Sequence, residues 1–222
     1  MPGYSGLSRA LIERALQGPL PGEPAQVRMA TRPRVALSDG MPKGPPRLAA
    51  VLLLLFEQGG EPHFVLTRRT DDLRNHGGQI ALPGGAVEPS DPSLWAAALR
   101  EAQEELGIDD LPQEAAYLGR LSPSYVASSH FAVHPFVGWL PRDPSFAPCP
   151  EEVAEVLVPP VALLLDDSAK GEEVRLLHGQ EAIVPYYRWQ GQIIWGLTAM
   201  ILSEFEVLLH QALADLKGEG IA

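Results

Sequence analysis

The stretch Arg100-Glu101-Ala102-Gln103-Glu104-Glu105-Leu106-Gly107-Ile108 decides how this chain is read. Its three glutamates stand at i, i+3 and i+4, positions that a helix of 3.6 residues per turn gathers on one face. Like charges so spaced repel by roughly 0.2–0.5 kcal/mol per pair. A helix gains nothing from collecting them unless a cation sits among them, and oxygen-rich sets of this kind suit Mg²⁺ or Mn²⁺. A Glu-rich helix face is otherwise an ordinary solvated surface. The neighbouring residues weigh against that plain reading: Trp95, Leu99, Ala102 and Leu106 fall within a narrow arc of the same wheel. The helix is therefore a packed element, and Glu101, Glu104 and Glu105 are expected to project from another side of it.

Both ends of this helix are signalled locally. Asp91-Pro92 offers an N-cap followed by proline at the first helical position, and Gly107 offers the C-terminal stop. Ahead of it lies Leu82-Pro83-Gly84-Gly85, where two glycines allow a tight turn and let backbone N–H groups approach a phosphate closely.

Loop and helix together resemble the Nudix box: Gly, five residues, Glu, seven residues, then Arg-Glu-aliphatic-any-Glu-Glu-any-Gly-aliphatic. The right half matches at Arg100 to Ile108, with Ala102 as a small member of the aliphatic class. The left half departs. Five residues after Gly85 comes Asp91 where Glu is expected, and eight residues rather than seven then separate Asp91 from Arg100. We read a one-residue insertion with Asp for Glu, which leaves Asp91 open between a plain N-cap and a functional group.

A second stretch narrows the resemblance. Val65-Leu66-Thr67-Arg68-Arg69-Thr70, then Arg74, Gly78 and Leu82-Pro83-Gly84-Gly85, looks like the signature that precedes the box in the coenzyme A pyrophosphatase branch, with every spacing kept. The departures, Val65 for Leu and Thr70 for Ser or Ala, are mild in size and shape. The resemblance implies an α/β fold, a Nudix-type α/β/α sandwich with a mixed sheet. It implies an enzyme that uses Mg²⁺ or Mn²⁺ to cut the pyrophosphate of coenzyme A and its derivatives into 3′,5′-ADP and 4′-phosphopantetheine. Within the same family the alternative is another nucleoside diphosphate derivative: ADP-ribose, NADH, a nucleotide sugar or a dinucleoside polyphosphate. A retired domain that senses a nucleotide is a different class, and the retention of all three right-half glutamates argues against it.

Hydrolysing a phosphoanhydride requires neutralising the oxygens around phosphorus and orienting a water molecule, which divalent ions held by carboxylates can do. The resemblance implies that Glu101 and Glu105 are inner ligands and that Glu104 binds directly or through water. Arg100 has two readings, a salt bridge that positions a glutamate and the glycine loop, or a phosphate contact; the resemblance favours the first. Arg68, Arg69, Arg74 and His76 lie between an expected strand, Phe64 to Thr67, and the glycine loop. Basic residues in a loop are usually solvated. With the family spacing intact, however, Arg69 and Arg74 become substrate-side candidates for a 3′-phosphate or pyrophosphate, joined by Gly78, Gly84 and Gly85. The partner is thus a small molecule.

The rest of the chain sets limits. We divide it into an N-terminal helix and Pro-rich arm, residues 1–46, and a hydrolase domain, residues 47–222. Leu7, Leu11, Ala15 and Leu16 space a helix closed by Gly18, and Pro19 to Pro46 reads as an extended arm. Strands are expected at Leu48 to Glu57, His63 to Arg69, Tyr117 to Val126 and Phe131 to Leu140, the last with Pro135 at an edge or bulge. Val153 to Leu165 is mixed, and Ala182 to Trp195 reads as a hairpin. A long C-terminal helix is expected from Ile201, Phe205, Leu208, Leu209, Ala212, Leu213 and Leu216, whose stripe is core or the surface of a homodimer.

A formal charge of −11 argues against nonspecific binding to nucleic acid or anionic membrane. The longest apolar run, Leu48 to Phe56, is shorter than the ~20 residues a membrane helix needs, and no signal core is seen, so a cytoplasmic protein is expected. Cys149 is the single cysteine and receives no role. His130 and His134 are read as structural. Glu151, Glu152 and Glu155 are minor candidates for a further ligand or base, because late loops of Nudix enzymes can supply one.

Overall fold

The structure is a computed structural model and describes residues 6–33, 44–70, 77–177 and 179–219. Strand β1 (Arg47–Gln58) is the axis of the fold. Its apolar run is buried on both faces, which is why it reads as an almost unbroken series of leucines rather than an alternating strand. Leu52, Leu54 and Phe56 pack to one side. Leu53 and Leu55 pack to the other.

Glycines at 59 and 60, both with positive φ, turn β1 back into β2 (Glu61–Phe64). After Val65, whose N–H is held by Leu54 O at 3.0 Å, the chain leaves this sheet and enters another as β3 (Leu66–Arg69). The single strand expected at His63 to Arg69 is thus two strands in two sheets. β4 (Ile80–Ala81) pairs with β3, and β5 (Gly84–Ala86) returns antiparallel to β1.

Helix α3 (Leu94–Leu106) follows, and Ala97, Ala98, Leu99, Ala102 and Leu106 bury it against β1. A short turn, α4 (Leu111–Glu114), leads to β6 (Ala116–Arg120), β7 (Ser124–Val126) and β8 (Phe131–Trp139). Tyr117 to Val126 is therefore two strands. At the bend between them the Ser122 N–H donates to the buried Glu204 carboxylate instead of a neighbouring strand.

β8 runs parallel to β1 at the centre of a mixed sheet of order β2-β1-β8-β6, with β5 also on β1 and β7 also on β8. The edge position expected for Pro135 is corrected accordingly. Its missing N–H falls opposite the β6–β7 bend, while its carbonyl accepts from Leu121 N at 3.0 Å. β9 (Val153–Leu157) completes a three-stranded sheet of order β4-β3-β9, and a 3₁₀ turn covers Val161–Leu165.

A third sheet has the order β10-β11-β12: β10 (Lys170–Leu177), β11 (Gln180–Trp189) and β12 (Gln192–Trp195). The hairpin is where the sequence placed it, but β10 had no expectation. Helix α5 (Gly196–Glu219) closes the fold. Its length and composition would suffice to span a membrane between Gly196 and Leu216, yet 61% of that stretch is buried inside the fold. Ile201, Leu202, Phe205, Leu208, Leu209 and Ala212 sit in the core, whereas Leu216 at the end of the expected stripe is exposed.

The N-terminal segment is part of the same core. Leu11, Ile12 and Ala15 of α1 (Arg9–Gln17) and Met29 join the cluster beneath β1 and α5. The expected extended arm contains a short helix, α2 (Glu23–Gln26), and a 3₁₀ turn at Val27–Met29. These dock on α5 through a buried bond from Gln26 Nε2 to Glu204 at 2.8 Å and one from Ser203 Oγ to Ala25 O at 2.9 Å. Residues 34–43 of that arm lie outside the described residues.

Candidate active site

The site forms where the glycine strand β5 meets one face of α3. Ser93, not Asp91, caps the helix, its Oγ accepting from Ala96 N at 3.1 Å. The Asp91 carboxylate is engaged elsewhere and cannot serve as the cap. At the other end Gly107 adopts the left-handed conformation, φ 61° and ψ 34°, as its position demanded.

Arg100 is fixed on several sides. Its Nε and Nη2 donate to the two Asp91 oxygens at 3.0 and 3.1 Å, Nη1 donates to Glu101 Oε1 at 3.0 Å and Glu104 Oε2 at 3.2 Å, and Nη2 also reaches Ala86 O at 3.2 Å. Asp91 is itself held by the Glu88 N–H at 2.8 Å. The bonds from Arg100 and Glu88 hold Asp91 below the usual carboxylate range, and the same contact with Asp91 raises Arg100. Arg100 therefore joins α3 to the β5 loop and positions Glu101, which is the first of its two expected roles. Asp91 is its counter-ion, and the inserted residue of the box is compatible with that reach.

The two glycines of β5 answer to close packing. A Cβ at Gly84, where φ is +146°, would lie 2.3 Å from Ala50 O on β1, and one at Gly85 would lie 2.3 Å from Glu101 Oε2. Gly84 thus lets β5 pair with β1, and Gly85 gives the Glu101 carboxylate its place. Gly78, at φ 70°, closes the loop after β3: its N–H donates to Arg69 O at 3.2 Å.

Glu105 departs from the expected outward projection, since its side chain is only 4% exposed. One oxygen lies 3.6 Å from Arg69 Nη1, and the other, Oε2, is buried without a hydrogen-bond partner among the described residues. Burial pushes Glu105 up to about 8, against the pull of Arg69 and with the charges of Glu152 and Glu101 adding to the rise. Burial also raises Glu101, opposed by its bond to Arg100. Glu104 is 61% exposed and touches only the rim, through Arg100.

The structure brings together Arg100, Glu101, Glu105, Arg69, Gly84 and Gly85, with Glu104 at the margin. Arg68 turns away to Glu155 at 3.1 Å, and Arg74 and His76 lie outside the described residues. Cys149 bonds only Glu151 through its thiol, and His130 pairs with Tyr125 at 2.8 Å.

Glu152 was a minor candidate in the sequence, and its charge acts on both Glu101 and Glu105. A backbone strap places it there. Ala147 N donates to Leu106 O at 2.9 Å and Cys149 N to Glu105 O at 3.1 Å, covering the last carbonyls of α3, while Thr70 N donates to Glu152 O at 3.1 Å. Nothing local in residues 147–153 announces this docking.

A mixed sheet with a helix presenting paired carboxylates against a glycine strand defines a Nudix-type α/β fold. The family model and the sequence relatives agree. The family model of the NUDIX domain matches residues 45–178. The uncharacterized Nudix hydrolase NudL of Photorhabdus laumondii is 40% identical over 158 residues, 71% of this chain and 82% of that protein. Its namesake from Yersinia enterocolitica is 42% identical over 144 residues, 64% of this chain and 71% of the other. Among solved structures, the MutT protein from Methanosarcina mazei Go1 is 24% identical, with 77% of this chain and 97% of that one covered and a TM-score of 0.47. The chain belongs to the Nudix hydrolase family, hydrolases of nucleoside diphosphate derivatives that generally act with divalent cations.

The residues at the site fit such a cation in charge and donor type. The unpartnered Oε2 of Glu105 is a buried lone-pair donor beside a second half-buried carboxylate. As they stand, no three acidic, imidazole or thiol groups form a ready ligand set among the described residues. Arginines hold the carboxylates instead, so an ion would have to take Glu105 from Arg69.

Proposed function

We propose that this chain hydrolyses the pyrophosphate of coenzyme A and its derivatives, releasing 3′,5′-ADP and 4′-phosphopantetheine, with Mg²⁺ or Mn²⁺. The observation that carries this reading is the unbroken spacing from Val65 to Gly85, together with the position of its Arg69 at the end of β3 beside Glu105. The pattern resembling the coenzyme A branch thus supplies a guanidinium at the rim of the carboxylate site, suited to a phosphate oxyanion.

In this reading Glu101, Glu105 and, at the rim, Glu104 hold the ion. Bound there, it would neutralise phosphate charge and favour the ionised form of a water molecule. Arg100 keeps Glu101 against Gly85. Arg69 faces the substrate, Gly78 closes back on the Arg69 carbonyl and Gly84 carries the glycine strand, while Arg74, outside the described residues, is the second basic group the sequence offers to the substrate. In the net reaction the oxygen of water forms a new bond to one phosphorus. The bridging oxygen leaves with the other phosphate.

The test is mass-resolved product analysis of the purified protein with coenzyme A, with Mg²⁺ or Mn²⁺ and with a chelator, beside 3′-dephospho-coenzyme A, ADP-ribose and NADH. Metal-dependent release of 3′,5′-ADP and 4′-phosphopantetheine in preference to the other cleavages is expected. A clear preference for ADP-ribose or NADH overturns the substrate assignment.

A further inference from the structure

Two arginines touch the carboxylates of this site, and they are held differently. Arg100 is immobilised by hydrogen bonds to two side chains of its own helix, to Asp91 and to a main-chain carbonyl. Arg69 has a fixed backbone, its N–H donating to Gln79 O at 3.0 Å, at a point where the β3–β9 ladder slips register between Arg68 and Arg69. Such an irregularity re-aims a side chain. That side chain is 26% exposed, and its approach to Glu105, at 3.6 Å, is an ion pair longer than a hydrogen bond. The carboxylate it faces is buried, and its Oε2 makes no hydrogen bond of ordinary length among the described residues.

We propose that Arg69 is an exchangeable counter-ion: it neutralises Glu105 when no metal is bound, and it is released to a phosphate oxygen when a divalent ion takes that carboxylate. A buried carboxylate must be compensated by some cation. Arg69 is the guanidinium on Glu105, and its side chain, a quarter exposed and held by no hydrogen bond to Glu105, can turn outward. Metal and phosphate ligand then favour each other, because each removes what holds the other back, and this coupling is equal in both directions. The inference rests on the reading of Glu105 as a metal ligand; it does not need coenzyme A as the substrate.

The experiment is calorimetric titration of the full chain with Mg²⁺, alone and with a methylene-bridged ADP analogue as the phosphate probe, for wild type, Arg69→Gln and Arg69→Lys. The buffer is alkaline enough that Glu105 is ionised in all three proteins, and circular dichroism checks the fold. The expected result has three parts. Arg69→Gln binds Mg²⁺ about tenfold more tightly than wild type when alone, since one competing charge is gone. The probe, whose phosphates also ligate Mg²⁺ directly, improves its Mg²⁺ affinity by less than it improves that of wild type. Arg69→Lys stays near wild type, having kept the charge. Unchanged or weaker Mg²⁺ binding in folded Arg69→Gln overturns the inference and leaves the metal site standing, as does an equal gain in Arg69→Lys. Failure of wild type to bind Mg²⁺ overturns the metal reading and the inference with it.

Discussion

Replacing Gly85 by alanine asks how closely Glu101 must be placed. The added Cβ would stand 2.3 Å from Glu101 Oε2, 2.6 Å from Cδ and 2.9 Å from Oε1, whereas ordinary contact begins near 3.4 Å, so the carboxylate must retreat by about 1.1 Å. The backbone of Gly85, unlike that of Gly84, has no left-handed conformation to strain an alanine. What moves is the end of a flexible side chain. The fold loses part of one half-buried bond to Arg100, about 1 kcal/mol, and regains about 0.4–1 kcal/mol from the stiffer unfolded chain. The melting temperature should therefore shift by no more than ~4 °C. Activity should respond far more, because a misplacement of about 1 Å at a reacting centre costs on the order of 100-fold. Metal-dependent hydrolysis measured beside thermal melting decides the matter. A folded Gly85→Ala protein that keeps activity within about threefold of wild type, some 0.6 kcal/mol, would refute the placement of Glu101 in the catalytic site.

Three further perturbations follow from the same geometry. Glu105→Gln should nearly abolish turnover and weaken Mg²⁺ or Mn²⁺ binding. In the metal-free wild type the raised Glu105 binds its proton more tightly folded than unfolded, so its contribution to stability is fully present below the ordinary carboxylate range and is lost as pH rises toward about 8; the difference in melting between wild type and Glu105→Gln, measured in chelator across pH, should show that loss. Asp91→Asn keeps an acceptor for Arg100 but loses the charge, and should lower turnover several-fold with a stability cost of about 1–2 kcal/mol after allowance for solvent screening; unchanged kinetics and denaturant midpoint would count against Asp91 as the anchor of Arg100. Glu152→Gln keeps its backbone bond to Thr70 and should weaken Mg²⁺ binding several-fold, while Glu155→Gln, whose partner is Arg68, leaves it unchanged; equal effects in the two variants would remove Glu152 from the site.

What the sequence disclosed tracks how local each determinant is. Helix α3 was legible because its stop, its apolar arc and its carboxylates lie within one short segment. Its start was misplaced by two residues because Asp91-Pro92 has the composition of a cap, and only the fold reveals that Arg100 and the Glu88 N–H already occupy the aspartate. Glu105 was expected outside because glutamate usually is. The signal that could have corrected this is Ala98 and Ala102, seven and three residues earlier, which place Glu105 beside the buried side of the helix. β10 was missed for a different reason: its outward positions, Glu172, Val174 and Leu176, mix charge with exposed apolar side chains, so no period-2 pattern survives. Glu152 depends on a strap whose bonds are made by main-chain groups, and side-chain identity carries no trace of them.

The electrostatics of the site make these observations cohere. Asp91, Glu101, Glu104, Glu105 and Glu152 carry five negative charges when ionised, against two positive charges on Arg69 and Arg100, leaving −3 among these groups in a chain whose formal charge is −11. An anionic substrate is repelled by such a surface. Asp91 and Arg100 cancel each other in a pair that is part of the scaffold, so the excess falls on Glu101, Glu105 and their exposed neighbours. Glu105 is the most deeply buried of these and the least able to borrow compensation from water. Three cations can supply it: a proton, which is why burial pushes the group up to about 8; the guanidinium of Arg69, which lies near without a hydrogen bond; and a divalent ion, which alone brings enough charge to turn a surface that repels phosphate into one that accepts it. On the proposed reading the first two leave the site without the charge a phosphate needs, and the buried carboxylate of the metal-free fold then makes substrate binding conditional on the metal.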